Sequence, residues 1–367
     1  MAALGRRLPR PALALLLLLL AACGFLVLPS LLSAAGGGQQ LDLRELLALS
    51  VAAAEAGGRR VRAVHEAGPD LQQRTKGQTQ EGAEELLTAG DLQSHRCMAS
   101  LWASTFPGIR VISEEHDEAA LDLSEPWDGK IPLDIQEMVP SGQTVSMESV
   151  TIWIDPLDAT QEYTEGLLSY VTTMVCVAVD GKPVIGVIHK PFSGFTAWAL
   201  VGHGANVSAR DSYDKKSPRL IVSRSHAGTV RTFSQKAFGT NVNIIPAGGA
   251  GYKVLSLLNL NTAEQPDQAD AYLHITFIKK WDICAGNAVL SALGGHMTTL
   301  DGKDIDYLDS PGNKEGLIAS VGLDHLELVK KVSGLEEQFA EMERALDLEL
   351  EFCCHHLIPV CDLGQIT

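Results

Sequence analysis

Val150-Thr-Ile-Trp-Ile-Asp-Pro-Leu-Asp-Ala-Thr160 passes from an apolar run into two carboxylates and then a hydroxyl. Val150 to Ile154 reads as a short strand that stops at Asp155-Pro156, a pair that favours a turn. Upstream, Ile109 to Ser113 reads as another strand and ends in Glu114-Glu115. Far downstream, Trp281-Asp282-Ile283-Cys284-Ala285-Gly286 opens a helical pattern that runs to Leu293. Each acid alone has an ordinary structural explanation. Asp158 and Asp282 suit helix N-caps, Glu114-Glu115 a solvated strand end, and Asp155-Pro156 a turn. Their recurrence where strands or loops give way to helices points instead to carboxylates gathered by the fold. Hard cations such as Mg²⁺ take such oxygen ligands, and can then polarise a phosphoryl group and stabilise its leaving oxygen.

The pattern around these clusters indicates an α/β protein, with an α+β first half and an α/β second half. Tyr170 to Val179 and Val184 to His189 alternate like strands across the hairpin turn Asp180-Gly-Lys-Pro183, and Thr196 to Val201 continues an antiparallel run. After Gly202, strands at Arg219–Ser223 and 243–246 alternate with helical segments at 251–258 and 282–293. The expected divisions are 1–40 as leader and linker, 41–202 as an α+β subdomain, 203–334 as an α/β subdomain, and 335–367 as a tail. Leu41 to Ala56 has helical spacing, and Gly57-Gly58 is expected to end that helix. Asp91 to Thr105 predicts a second helix, and 116–149 a long surface excursion. The tail carries apolar residues at helical spacing. Its Cys353-Cys354-His355-His356 is too compact for all four side chains to reach one tetrahedral ion.

The formal net charge of −16 argues against nucleic-acid binding, which needs a basic surface. Eight acids and one arginine fall between Leu335 and Thr367, so −9 remains for the rest of the chain. The seven cysteines follow neither zinc-ligand spacing nor a disulfide scaffold, and Cys97, Cys176 and Cys284 read as small buried side chains. Arg6, Arg7 and Arg10 precede the uncharged run Ala12 to Ala35. That run exceeds the roughly 20 residues a helix needs to cross a bilayer, and is longer than the core of most cleaved signals. That length predicts an uncleaved anchor, and arginines before the run with none just after it predict a cytoplasmic N-terminus and a lumenal body. Cleavage after Ser33-Ala-Ala35 is the alternative. Asn206-Val207-Ser208 is an acceptor sequence for N-glycosylation.

The three clusters in order resemble the signatures of the lithium-sensitive, magnesium-dependent phosphatases related to inositol monophosphatase. Those signatures are a Glu-Glu pair, Asp-Pro-hydrophobic-Asp-Gly/Ala-Thr, and Trp-Asp-x-x-Ala followed by a helix and Gly-Gly. They stand here as Glu114-Glu115, Asp155 to Thr160, and Trp281 to Ala285 with Gly294-Gly295. The resemblance covers about residues 41 to 330 and implies a layered α-β-α-β-α sandwich. It further implies that Glu114, Asp155, Asp158, Asp282 and the Leu157 carbonyl bind Mg²⁺. Thr160 and Asp91 would be the pair that orients and deprotonates the attacking water. A threonine is too weak a base alone, but bonded to a carboxylate it can pass a proton on.

A narrower resemblance is to the 3′-phosphatases of adenosine 3′,5′-bisphosphate. It rests on Ser223-Arg-Ser-His226, Gly248-Gly-Ala-Gly-Tyr-Lys253 and Lys279-Lys280 before Trp281. By it, Ser223, His226, Gly249 and Lys253 would contact AMP. With the N-terminal anchor added, the resemblance implies a Golgi membrane protein of type II with a lumenal catalytic domain. A homodimer is a further expectation. An inositol-phosphate or sugar-phosphate monoesterase with the same metals is the alternative reading.

Overall fold

The computed structural model describes residues 38–78, 84–116, 126–224, 227–262 and 265–335. The apolar run Ala12–Ala35, His226 and the tail beyond Leu335 lie outside them. Among the described residues no helix is long and apolar enough to cross a membrane.

Helix α1 (Leu43–Glu66) begins at Asp42, whose side chain accepts the Arg44 amide, and α2 (Ala89–Thr105) begins at Thr88. Between them, β1 (Arg74–Gln78) and β2 (Glu84–Leu87) form an antiparallel pair. A six-stranded sheet follows from β3 (Arg110–Ser113), β4 (Val150–Asp158), β5 (Thr172–Val179), β6 (Lys182–Lys190), β7 (Phe195–Leu200) and β8 (Gly204–Ala205). Its order is β8-β7-β6-β5-β4-β3, antiparallel except for the β3–β4 pair. The meander expected from the hairpin signal is therefore present, and β8 carries the sheet slightly past Gly202. One-turn α3 (Thr160–Thr164) sits directly after β4.

A second, five-stranded sheet is built from β9 (Leu220–Ser223), β10 (Ile244–Ala247), β11 (Ala271–His274), β12 (His296–Thr298) and β13 (Leu317–Ser320), in the order β10-β9-β11-β13-β12. Its helices are α4 (Ala227–Phe238), α5 (Ala250–Leu255), α6 (Lys280–Ala292) and α7 (His325–Val332).

Strand alternation assigns the layers. In the first sheet, Ile152, Ile154, Val175, Val177 and Val187 pack against α1 and α2. Trp153, Met174, Cys176 and Ile188 point the other way, onto α5 and α6. In the second sheet, Ile221, Tyr272 and Ala319 join that same middle core, while Leu220, Val222, Leu273 and Ile318 face α4 and α7. The result is an α-β-α-β-α sandwich in which α5 and α6 are shared by both sheets.

Two expectations are corrected. Gly57-Gly58 does not end α1, which runs on to Glu66. A Cβ on Gly57 would lie 2.5 Å from Met98 Sδ and Ser94 Oγ, and one on Gly58 would lie 2.4 Å from the His189 ring. The glycines let the helix interior approach α2 and β6, and that packing outweighs their poor helix propensity. Cys176 and Cys284, read as separate buried side chains, are joined in a disulfide, while Cys97 is buried and outside it. Also beyond the sequence reading, the excursion at 116–149 contains a short helix, Leu133–Met138.

Candidate active site

Asp91 lies in the first turn of α2, inside a capping box. Its Oδ2 accepts from the Thr88 amide (2.7 Å) and the Thr88 hydroxyl (2.5 Å). Oδ1 is left for Thr160, whose Oγ1 stands 3.0 Å away. Thr160 follows Ala159, which turns the chain out of β4 with a left-handed φ of 71°. The same Thr160 hydroxyl is 3.1 Å from the Leu157 carbonyl. Burial pushes the Asp91 carboxyl up to about 7, with Glu114 adding repulsion and the Thr88 hydrogen bonds opposing the shift.

The parallel pairing of β3 with β4 places Glu114, just past the end of β3, beside Asp155. Asp282 comes from the first turn of α6, on the other side. Carboxylate oxygens of Glu114, Asp155 and Asp282 all lie within 4.8 Å of one another. Burial first, and then the charges of its neighbours, hold Asp155 and Asp282 well above the usual carboxylate range. Glu114 is raised too, again chiefly by burial, although Lys76 opposes the shift. The Lys76 ammonium, carried in on β1, donates to Glu114 at 2.8 Å and also bonds Glu115.

Asp158 is placed differently from these three. Its oxygens accept from the Ala250 amide (3.0 Å), the Gly251 amide (2.9 Å) and the Thr172 hydroxyl (2.9 Å). It therefore ties the end of β4 to the start of α5 while still lining the cavity. Gly249 is needed for that approach. It has φ 64°, and a Cβ there would lie 2.7 Å from the Tyr170 carbonyl and 3.0 Å from Asp158 Oδ2.

A cavity of about 390 Å³ opens over Asp158 and Asp282 and continues past Ser223, Gly249, Lys253, Tyr272, His274, Phe277 and Lys279. Three of the four residues expected to contact nucleotide thus line one cavity with two of the expected metal ligands, and His226 lies outside the described residues. Lys253 is buried, its Nζ donating to the Gly249 carbonyl at 2.8 Å and lying 5.5 Å from the centre of the Tyr272 ring. Lys279 lies 5.2 Å over Phe277 and 5.4 Å over Trp281, whereas Lys280 is buried in α6, so the Lys-Lys pair divides between cavity and core. Arg224 next to Ser223 bonds Glu162 (3.2 Å) and Glu165 (2.7 Å), holding the end of β9 against α3 and hence near Thr160.

Sequence reading missed Lys76, Tyr272, His274 and Phe277. Lys76 carries no motif. The other three could have been suspected from a strand, Ala271 to His274, that ends shortly before Trp281-Asp282. Asn206 is held at both ends of its amide. Its Oδ1 accepts the Trp198 amide at 2.7 Å, and its Nδ2 donates to the Thr196 carbonyl at 2.8 Å.

Residues 42–334 match the sequence profile described as the inositol monophosphatase family. The chain belongs to the inositol monophosphatase family. It is 59% identical over 292 residues to a Danio rerio protein named "Inositol monophosphatase 3", covering 80% of this chain and 85% of that one. It is 55% identical over 305 residues to the Homo sapiens "Golgi-resident adenosine 3',5'-bisphosphate 3'-phosphatase", covering 83% of this chain and 84% of the relative. Among solved structures, an IMPase from Thermotoga maritima superposes with a TM-score of 0.57 at 19% identity, covering 79% of this chain and 98% of that one. That likeness fixes the fold as the family's sandwich.

Family members are metal-dependent, and the donor set suits a hard divalent cation. Its oxygens are carboxylate oxygens, crowded and buried enough to repel one another, without the sulfur or imidazole that would favour zinc. Glu114, Asp155 and Asp282 would hold such an ion.

Proposed function

We propose that this chain removes the 3′-phosphate of adenosine 3′,5′-bisphosphate in a magnesium-dependent reaction, giving AMP and inorganic phosphate. The observation that carries the reading is the continuous cavity. Its lining combines the carboxylates Asp158 and Asp282 with two lysines, Lys253 and Lys279, and two aromatic rings, Tyr272 and Phe277. A second phosphate and a base need cationic and aromatic groups besides those that hold the reacting phosphoryl, and an inositol monophosphate does not. The name of the human relative supports the same substrate.

Bound Mg²⁺ would polarise the phosphoryl group and offset charge on the leaving oxygen. Thr160 Oγ1 would accept a proton from the attacking water while passing its own to Asp91 Oδ1, 3.0 Å away, which must be ionised to receive it. The water oxygen bonds to phosphorus, the bond from phosphorus to the 3′-oxygen breaks, that oxygen takes a proton from solvent, and Asp91 returns the proton it received to solvent. Asp158, bonded to α5, fixes Gly249 and Lys253 relative to the reacting end. Lithium inhibition and an Asp158 carboxylate and Leu157 carbonyl that also ligate the metal belong to the same proposal.

The test measures phosphate release from adenosine 3′,5′-bisphosphate, inositol monophosphates and p-nitrophenyl phosphate, with and without Mg²⁺, on wild type and Lys253→Ala. Wild type should prefer the bisphosphate, and chelator should abolish turnover. Loss of one charge-assisted contact costs about 1.5–3 kcal/mol, so Lys253→Ala should lower kcat/KM for the bisphosphate about 10- to 150-fold. The small aryl phosphate, which has no second phosphate to lose a partner, should be little affected. Equal losses on both substrates would reassign Lys253 to balancing Asp158 and Asp282, and faster turnover of inositol phosphates would favour the second reading.

The proposal includes a type II orientation in the Golgi membrane, with the catalytic body in the lumen. Its support is the arginine-flanked run Ala12–Ala35 and the Golgi residence in the name of the human relative. In intact vesicles the body should resist protease until detergent is added, and digestion without detergent would rule this orientation out. Protection reads the orientation directly, whether or not Asn206, whose Nδ2 donates to the Thr196 carbonyl, carries a glycan.

A further inference from the structure

The bridge between Cys176 on β5 and Cys284 on α6 spans 108 residues of sequence. Both cysteines are buried, 1% and 0% exposed, so the bridge lies within the middle core rather than on the surface. Its position relative to the carboxylates is specific. Asp155 pairs across the sheet with Met174, two residues from Cys176 and on the same face, and Asp282 lies two residues before Cys284 in α6. The disulfide therefore joins the same two layers whose side chains must meet at the acidic cluster. Cys176 also pairs with Gly186 on β6, where an added Cβ would lie 2.2 Å from the Ala285 carbonyl. Glycine at that point lets the first turns of α6 come close enough to the sheet for the sulfurs to bond.

We infer that Cys176 and Cys284 are positioning residues for the metal centre, their disulfide fixing the spacing of Asp155 and Asp282 against the repulsion of the clustered carboxylates. Without the bridge, α6 remains packed by its apolar face, but its first turn is free to relax outward and widen the cluster. A cation with short, near-octahedral bonds tolerates such widening poorly. Forming the bridge removes two protons and two electrons from two thiols, and a small-molecule or oxidoreductase disulfide accepts them and is reduced to two thiols. Such acceptors dominate in the secretory pathway, whereas the cytosol keeps thiols reduced. Full metal affinity thus becomes a property of the chain matured in an oxidising compartment.

The experiment titrates Mg²⁺ alone, by calorimetry, into three metal-stripped proteins. They are wild type prepared oxidised, wild type prepared reduced, and the double variant Cys176→Ala/Cys284→Ala. Intact mass distinguishes the first two, the oxidised chain being lighter by two hydrogens. Disturbing groups that orient metal ligands typically weakens binding about 10- to 100-fold, and a loss of that size is expected in the reduced chain and the double variant alike. In enzymatic assays much of the lost turnover should return at saturating Mg²⁺. Equal Mg²⁺ affinity in oxidised and reduced wild type would overturn the inference, even if the melting temperature fell. So would free thiols at both positions in protein from the secretory pathway. A reduced chain that cannot hold its fold would also overturn it, since the bridge would then support the fold and not the spacing. Should only the double variant misfold, the two wild-type preparations decide the matter.

Discussion

Asp91→Asn should lower turnover by about 10²- to 10⁴-fold, the usual contribution of a positioned base. The asparagine keeps the size of the side chain and can still accept from Thr88, so α2 should keep its cap. It cannot take the proton that Thr160 passes on. The pH profile separates this role from a structural one. Burial raises the Asp91 carboxyl to about 7, and only its ionised form can act, so kcat/KM of wild type should fall as pH drops through that region. A divalent cation beside Glu114 relieves part of the repulsion and moves the limb lower. In Asp91→Asn this acidic limb should disappear, while Mg²⁺ affinity stays within a few-fold of wild type. A variant that retains the limb, or loses Mg²⁺ binding to the same extent as turnover, would remove Asp91 from the proton path.

Asp155→Asn should have an effect at least as large, by another route. Asp155 lies at the centre of the cluster, raised by burial and then by Glu114, Asp158 and Asp282. Removing its charge weakens the hold on a cation whose electrostatic help is worth several kcal/mol in the transition state, so turnover should fall about 10³-fold or more. Stability should move in the opposite direction. A carboxyl with a raised folded-state pKa stabilises the fold below its unfolded pKa, near 4, and that contribution is lost as pH rises through the folded value. Above the unfolded value, metal-free wild type therefore loses stability through this group, a loss that the variant does not suffer. Metal-free Asp155→Asn should melt no lower than metal-free wild type, and Mg²⁺ should raise the melting temperature of wild type alone. An unchanged rise with Mg²⁺ in the variant would exclude Asp155 as a ligand.

Much of this site was legible because its parts are short and local. Asp155, Asp158 and Thr160 fall within six residues, Glu114 ends a strand, and Asp282 opens a helix, so the pattern of apolar runs located each one. The strands of the first sheet were legible for the same reason, since hairpin signals and alternation act over neighbouring residues. What the sequence concealed depends on distant partners. Gly57-Gly58 has the composition of a helix stop, and only the closeness of Met98 and His189 shows that the glycines serve packing. Cys176 and Cys284 lie far apart in the chain, and nothing in their immediate surroundings marks them as a pair. Lys76 is one lysine among polar residues until β1 carries it to Glu114 and Glu115. Asp158 was identified as an acid of the site, but its bonds to Ala250 and Gly251 come from a helix that no local rule would bring to it.

The sharing of α5 and α6 by both sheets governs how the molecule can be made. As the chain emerges from the ribosome, β4 to β7 can pair and gather α1 and α2, yet Trp153, Met174 and Ile188 then face solvent. Their cover arrives only with residues 250–292. The growing polypeptide must therefore pass through a half-built stage with an apolar sheet surface exposed, a species suited to chaperone capture and prone to self-association. A ribosomal stall or premature stop between residues 202 and 280 would release that stage permanently, with neither the acidic centre nor the sulfur bridge able to form.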